Sequence, residues 1–344
     1  MKKRKISIII SSICLILVLV ALPILTACGE TTPETYEIEI YGGRAGMSTY
    51  VASIALAELI NENSTWLKAT AIEATSVTAC FQLLLNEPER RPDTLIVSMA
   101  QFHWLASEGK EPFTTQYDGL RFISTLGYNM MGFITLDPDI KTIADFSGKR
   151  VSIGDKSSVT RVEMLQAILE SAGILDEVEL EYLSLSDGVN ALRDGLIDAT
   201  LGSGSVISLP DQYALGPFMS EIMATKTVYF VSMDGEDITY MNELLGPLET
   251  EHVVPAGSLG ATQTEQWVGI GKVMGWAADK EMPDDVVYEI CRIIYDNADK
   301  FVDYSPSLAF VTHETMADWG IPEADMHPGA LQFYDEYGME ISSY

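Results

Sequence analysis

Apolar and polar positions along this chain switch repeatedly between a period of two and a period near 3.6, the signatures of strand and helix. "YEIEIY" (36–41) alternates strictly. Residues 50–63 then place Val51, Ile54, Ala55, Ala57 and Leu59 on one helical face. "LKATAIEA" (67–74) reads as a strand and "SVTACFQLLLNE" (76–87) as a helix. "DTLIVSM" (93–99) is an apolar strand, followed by a helix over 100–108 closed by Gly109. "LRFISTLG" and "MMGFITL" read as two strands on either side of Gly127-Tyr128-Asn129. "TIADF" (142–146) is a single helical turn, "RVSIG" (150–154) a strand, and Val162, Leu165, Ile168, Leu169 and Ala172 mark an amphipathic helix. Further strands are expected at 178–185, 198–205 and 225–233. Helices are expected at 186–197, opened by Ser186 and Asp187, and at 285–302.

Strands alternating with helices predict parallel βαβ units, hence an α/β fold. In such folds ligands sit at the carboxyl ends of strands, against the next helix N-terminus. The turns after strands are therefore where a site is sought. "GGRAGMST" (42–49) follows the first strand. It fails as a dinucleotide fingerprint, because Tyr41 occupies the position of the first glycine. A glycine turn at Gly43 remains, delivering Ser48 and Thr49 to a helix start, with Arg44 as a possible fork for a carboxylate. "GDKSSVTR" (154–161) groups Ser157, Ser158 and Thr160 with Arg161 at a second helix start, where unpaired N–H groups favour an anion. Thr75 and Ser76, Ser98 and Gln101, and Ser203 and Ser205 occupy three further strand ends. Each alone reads equally as a polar loop or a cap. Together they predict a polar cleft built from both halves of the chain.

The ends of the chain and its charge narrow the function. Lys2, Lys3, Arg4 and Lys5 precede an apolar run, Ile6–Leu22, and "LTAC" (25–28). This reads as a signal peptide over 1–27, with Cys28 the lipidated N-terminus and 28–35 a tether. The protein is thus expected outside the cytoplasm, held to the membrane by a lipid anchor only. The full chain has 344 residues, 21 basic and 50 acidic; without the four leader cations it has 17 against 50, a net charge of −33. Such a surface repels nucleic acid and anionic lipid. Cys80 and Cys291 lie in helix-like apolar patterns and read as buried thiols, with one disulfide as the alternative. The four histidines are scattered, no Cys/His spacing fits a metal, and no cofactor is implied. No nucleophile elbow or triad motif is present, so an enzyme, such as an extracellular hydrolase, is the remote reading.

Several segments resemble the TAXI family, the solute-binding proteins of tripartite TRAP-type transporters. They are "LRFISTLG", "IKTIADFSGKRVSIG", "EMLQAILESAGI", "NALRDGLIDA", "VVPAGSLG" (253–260), "MPDDVVYEICRIIYDNADKF" (282–301) and "MHPGALQFYDEYGM" (326–339). "GGRAGMSTY" is similar to that family's first loop. The resemblance implies a type II periplasmic-binding-protein fold: two βαβ lobes joined by a two-segment hinge, with ligand between them. It implies lobe 1 over 36–127 and 229–344 and lobe 2 over 128–228. It also implies a small carboxylate or amino acid as ligand, of the glutamate, glutamine or 2-oxoacid class, and a membrane permease as partner. An ABC-importer receptor or a sensor subunit would share the fold. The chain departs from the family pattern at presumed ligand positions. Ser157 and Val159 replace two glycines, Val77 and Cys80 stand for a serine and an asparagine, and Gln101 for an acidic residue. Tyr50 stands where paired tyrosines are usual.

Overall fold

The computed structural model describes residues 35–341 except 46, 112, 157, 209–210, 247–248 and 318–321. The leader, Cys28 and Ser157 lie outside the described residues. Glu37–Tyr344 is one compact unit. The strands are β1 (Tyr36–Tyr41), β2 (Leu67–Ile72), β3 (Thr94–Met99), β4 (Leu120–Thr135), β5 (Arg150–Ser152), β6 (Glu179–Glu181), β7 (Ala199–Ser208), β8 (Gln212–Leu215), β9 (Tyr229–Val231), β10 (Thr250–Val254) and β11 (Trp267–Asp279). The helices are α1 (Ser48–Asn63), α2 (Val77–Asn86), α3 (Ala100–Glu108), α4 (Val159–Ser171), α5 (Leu185–Arg193), α6 (Pro217–Thr225), α7 (Gly235–Leu245), α8 (Asp284–Asp296), α9 (Phe301–Tyr304) and α10 (Pro328–Glu336).

One sheet runs β2-β1-β3-β11-β4-β7-β5-β6, with β9 also on β4, β10 on β11 and β8 on β7. It divides into two halves of the same order. In the first, β2-β1-β3 is followed by β11, antiparallel to β3, and then by the opening residues of β4. In the second, β6-β5-β7 is followed by the closing residues of β4, antiparallel to β7, and then by β9. Each half thus reads 2-1-3-n-4, where n is a strand arriving from the other half. Two long strands, β4 and β11, carry the chain between halves and pair with each other from Ile270↔Met131 to Asp279↔Leu120. This is the expected α/β fold of the type II binding proteins.

The structure departs from the sequence-based elements at several points. The two strands expected around Gly127-Tyr128-Asn129 are one, because those residues stay paired with Met274, Val273 and Lys272. The strand expected at 178–185 ends at Glu181, and α5 is capped by Ser184, whose hydroxyl accepts from Asp187 N, so Ser186 and Asp187 lie within the helix. The helix expected to 302 breaks at Asn297. The pattern gave no sign of β11, whose three glycines and two alanines dilute its β-propensity. Its glycines answer to packing. A Cβ at Gly269 would strike the Met131 carbonyl, so the two crossing strands meet there only without a side chain.

The segment 229–266 packs on the second half-sheet. β9 pairs with β4, α7 packs along α4, and Val254, Leu259 and Trp267 share an apolar cluster with Met130, Ile134 and Leu192. β11 carries the chain from beside β10 to its pairing with β3 of the first half-sheet. The "HPG" of residues 327–329 is a packing device. His327 accepts from Gly329 N at 3.2 Å to cap α10, and a Cβ at Gly329 would meet the Asp284 carbonyl at the start of α8. Cys80 and Cys291 are free and buried, as the bland reading expected.

Candidate functional site

Both glycine turns that the sequence singled out lie where the repeated topology puts a ligand, at the carboxyl end of the first parallel strand of each half. In the first half, β1 ends at Tyr41, and Gly42 and Gly43 are buried beneath the start of α1. A Cβ on Gly43 would collide with Thr49 Oγ1, so the glycine leaves room for that hydroxyl. Thr49 is 4% exposed, yet its Oγ1 has no hydrogen-bond partner among the described residues. Met47, not Ser48, is the helix cap residue; Ser48 and Tyr50 are half-buried in the first turn. Arg44 is exposed and donates through Nε to the Thr75 carbonyl at 2.7 Å, while Ala45 N donates to Glu73 Oε1 at 2.9 Å. These bonds tie the β1 turn to the β2 turn. Cys80 lies behind the loop and donates to the Gly42 carbonyl at 3.3 Å; burial pushes its thiol up to about 12. Ser76 caps α2, accepting from Ala79 N at 3.1 Å, and Thr75 is exposed. Gln101, in the first turn of α3, is 5% exposed and its Oε1 is unpartnered.

In the second half, β5 runs into Gly154, whose φ of +102° only glycine adopts without strain. The Arg161 side chain folds back over this glycine; a Cβ there would lie 3.1 Å from Arg161 Cδ. Ser158 precedes α4, and its hydroxyl is 3.5 Å from Asp155 Oδ2. Thr160 is half-buried beside it. Arg161 is the unusual group. Its Nε is buried without a hydrogen-bond partner, and burial lowers its pKa. Asp155 and Glu249 attract it through space, but among the described residues neither forms an ion pair with it.

The crossing strands supply a floor. Residues paired across neighbouring strands share a face. Asn129 pairs with Lys272 and Ser205, Met131 with Ser203, and Met274 with Met99. One face of the hinge therefore carries Met99, Met274, Lys272, Asn129, Ser205 and Ser203. Ser205 Oγ donates to Asn129 Oδ1 at 2.9 Å, and Asn129 Nδ2 donates to Met274 Sδ at 3.3 Å. The opposite face is aromatic, with Tyr128 against His252 and Phe310.

Glu249, just before β10, is a member that sequence reasoning missed. It is 6% exposed, neither oxygen has a hydrogen-bond partner among the described residues, and Lys272 Nζ forms an ion pair with Oε1 at 3.6 Å. Desolvation pushes its pKa up to about 7, against the pull of Lys272 and Arg161. Fifty acidic residues gave no reason to choose this one from sequence. Its folded-state pKa exceeds the ordinary value of 4.5, so the folded protein holds the proton more tightly than the unfolded chain. Stability is then expected to fall as pH rises from about 4.5 to about 7, by roughly 3 kcal/mol from this group. Urea denaturation across that range should show Glu249→Gln lacking this component of the slope. Parallel curves for the two proteins would contradict it.

Native proteins partner nearly all buried polar groups. Among the described residues eight carry a buried polar atom without a hydrogen-bond partner; Thr49, Gln101, Arg161 and Glu249 belong to this region, and Thr94, Ser258, Trp276 and His327 do not. Two grooves of about 300 and 390 Å³ lie elsewhere, bordered by Ile140, Phe230 and Gln263 and by Ile143, Ser171 and Asp234. Neither includes a sequence-derived site residue or an unpartnered buried atom. Among the described residues there is no cluster fit for a metal, and no helix is long and apolar enough to cross a membrane.

Two half-sheets of one order, joined by crossing strands with a polar face, define a two-lobed binding-protein architecture. The chain belongs to the NMT1-like family, whose pattern matches residues 40–338. Solved structures similar to it include a TctC solute-binding protein from Polaromonas (15% identity, 89% of this chain and 90% of that one, TM-score 0.47). Others are the periplasmic aliphatic sulphonate-binding protein SsuA from Escherichia coli (14%, 88% and 84%, 0.45) and MatC from Rhodopseudomonas palustris with bound malate (13%, 80% and 86%, 0.45). Similarity of this degree leaves the ligand to be argued from this chain's own residues.

Proposed function

We propose that this protein is an extracytoplasmic solute receptor that captures a small carboxylate or amino acid between its two half-sheets. The observation that carries this reading is Arg161, a half-buried arginine whose Nε is buried without a hydrogen-bond partner and which has no ion-pair partner among the described residues. An unpaired buried charge is costly, and an anionic ligand would relieve the cost. Ser158 and Thr160 at the start of α4 would share the carboxylate with Arg161. Thr49 and Gln101 offer neutral polar atoms from the first half. Ser203, Ser205 and Asn129 line the floor between. Arg44 is engaged with the Thr75 carbonyl and serves first to join two turns; Gly43, Ser48, Tyr50, Thr75 and Ser76 shape that side.

The resemblance to the TAXI family makes a TRAP-type permease the partner, and lipidation at Cys28 would hold the receptor beside it. Tethering raises the effective concentration at the permease without any new contact. Ligand would favour the closed form through contacts that only closure completes.

A thermal-shift screen of residues 29–344 against amino acids, dicarboxylates and 2-oxoacids tests the reading. A specific ligand raises the melting temperature by mass action. If no acid or amino acid shifts it, the carboxylate reading fails. Thr160→Ala is expected to weaken the best hit by about tenfold, the loss of one hydrogen bond to a charged group. Unchanged affinity in calorimetry would remove Thr160 from the site.

A further inference from the structure

Trp104 lies on α3 in the first half, three residues after Gln101, so the two share a helix face. Its indole reaches across to Gly246, the residue that ends α7 in the second half. Three atoms of the six-membered ring lie so close that any Cβ on Gly246 would fall inside the ring's envelope. Gly246 also has φ +109°, a conformation open to glycine alone. Lys110, from the same half as Trp104, places its Nζ 4.3 Å from the ring centroid. The indole is thus held by a cation of its own half and by bare backbone of the other.

The two sides of this contact lead directly to the site. Behind Trp104, one turn back on α3, is Gln101, whose Oε1 has no hydrogen-bond partner among the described residues. Behind Gly246, α7 packs along α4, which bears Thr160 and Arg161, and Glu249 follows three residues later.

We infer that the Trp104–Gly246 contact is the closure contact of this receptor, and that Trp104 is a positioning residue for ligand capture. It brings the α3 wall of the first half against the end of α7, the helix that packs along α4. When the halves separate, the indole loses its glycine face, and the two walls lose their register. The inference rests on the receptor reading above for its purpose but not for its test.

The test measures distances between halves by double electron–electron resonance, with spin labels at Leu196→Cys and Val302→Cys. Those positions are 60% and 42% exposed, on the second and first halves, whereas Cys80 and Cys291 are buried. Without any ligand, the closed distance is expected in the parent protein and is expected to lose population in Trp104→Ala and in Gly246→Ala. Combining the two substitutions should do no more than either alone, since both remove one contact. Circular dichroism and melting temperature establish that each variant is folded, and Trp104→Phe should retain part of the closed population. An unchanged distance distribution in folded Trp104→Ala would overturn the inference.

A second measurement uses 2-oxoglutarate and L-glutamate as probes. If either binds the parent protein, Trp104→Ala is expected to weaken it about tenfold, because the competent state becomes less populated. Equal affinity would overturn the inference. If neither probe binds, the carboxylate reading is weakened, while the distance measurement still decides the role of Trp104.

Discussion

Replacing Arg161 by Met is expected to cut affinity for the captured acid about thirtyfold or more while leaving the ligand-free protein as stable or more stable. The two effects have one cause. The side chain is half-buried over Gly154, its Nε is buried with no partner among the described residues, and burial already lowers its pKa. Exchanging an uncompensated buried ion for an apolar chain of similar length is neutral or stabilising, by about 1–4 kcal/mol. Removing the charge that meets a desolvated carboxylate costs about 2–5 kcal/mol of binding. Calorimetric titration with the best acid of the screen and thermal melting without ligand check both signs. A melting temperature that drops sharply in Arg161→Met would mean that the guanidinium supports the fold and not a ligand. Lys in place of Arg would keep a charge but lose the planar fork, so only partial recovery is expected.

Replacing Trp267 by Ala is expected to cost about 3–5 kcal/mol of folding stability, the range for removing a large aromatic from a core. Trp267 opens β11 and is fully buried. Its ring lies on Gly132 of β4, where a Cβ would come within 2.7 Å of the indole, and Nε1 donates to the Val231 carbonyl at 3.2 Å. It packs near Phe230, with ring centroids 4.9 Å apart, and belongs to the cluster of Met130, Ile134, Leu192, Met219 and Ile222. The substitution therefore opens a cavity and strips a buried carbonyl of its donor. It does so where β11 leaves the second half-sheet, so hinge and core are weakened together. Trp267→Phe should recover part of the packing but not the hydrogen bond. A urea-denaturation loss below about 1 kcal/mol for the Ala variant would show that the site collapses freely.

Much of the fold was legible because its parallel units are short-range events. The period-two run at 36–41, the turn at Gly42-Gly43 and the helix face beginning at Val51 lie within one stretch of chain, and the structure builds β1, the turn and α1 from them. The same holds for β5, Gly154 and α4. The crossing strand β11 was not legible. Its glycines look like breaks in a strand pattern, yet Gly269 is there because the Met131 carbonyl approaches it, and Gly271 because the Tyr128 ring lies over it. Such reasons belong to residues more than a hundred positions away.

The candidate site divides in the same way. Thr49, Gln101, Ser158, Thr160 and Arg161 were marked by their place after strands, and that placement is local. The separate duties of their neighbours were not visible. Ser76 caps α2, and Arg44 binds the Thr75 carbonyl. Glu249 and Lys272 could not be chosen from among so many charges, nor Trp104 from among the aromatic residues.

The sequence by itself determined the alternation of strand and helix, the two glycine turns with their hydroxyls, and the acidic character of the chain. Each is written in periodicity, backbone permissiveness or charge, which act over a few residues or over the whole composition. Only the tertiary structure decided which polar groups are buried without partners, which strand forms the hinge, and where the two halves touch. Burial and pairing are properties of what surrounds a residue, and for Arg161, Glu249 and Trp104 those surroundings come from distant parts of the chain.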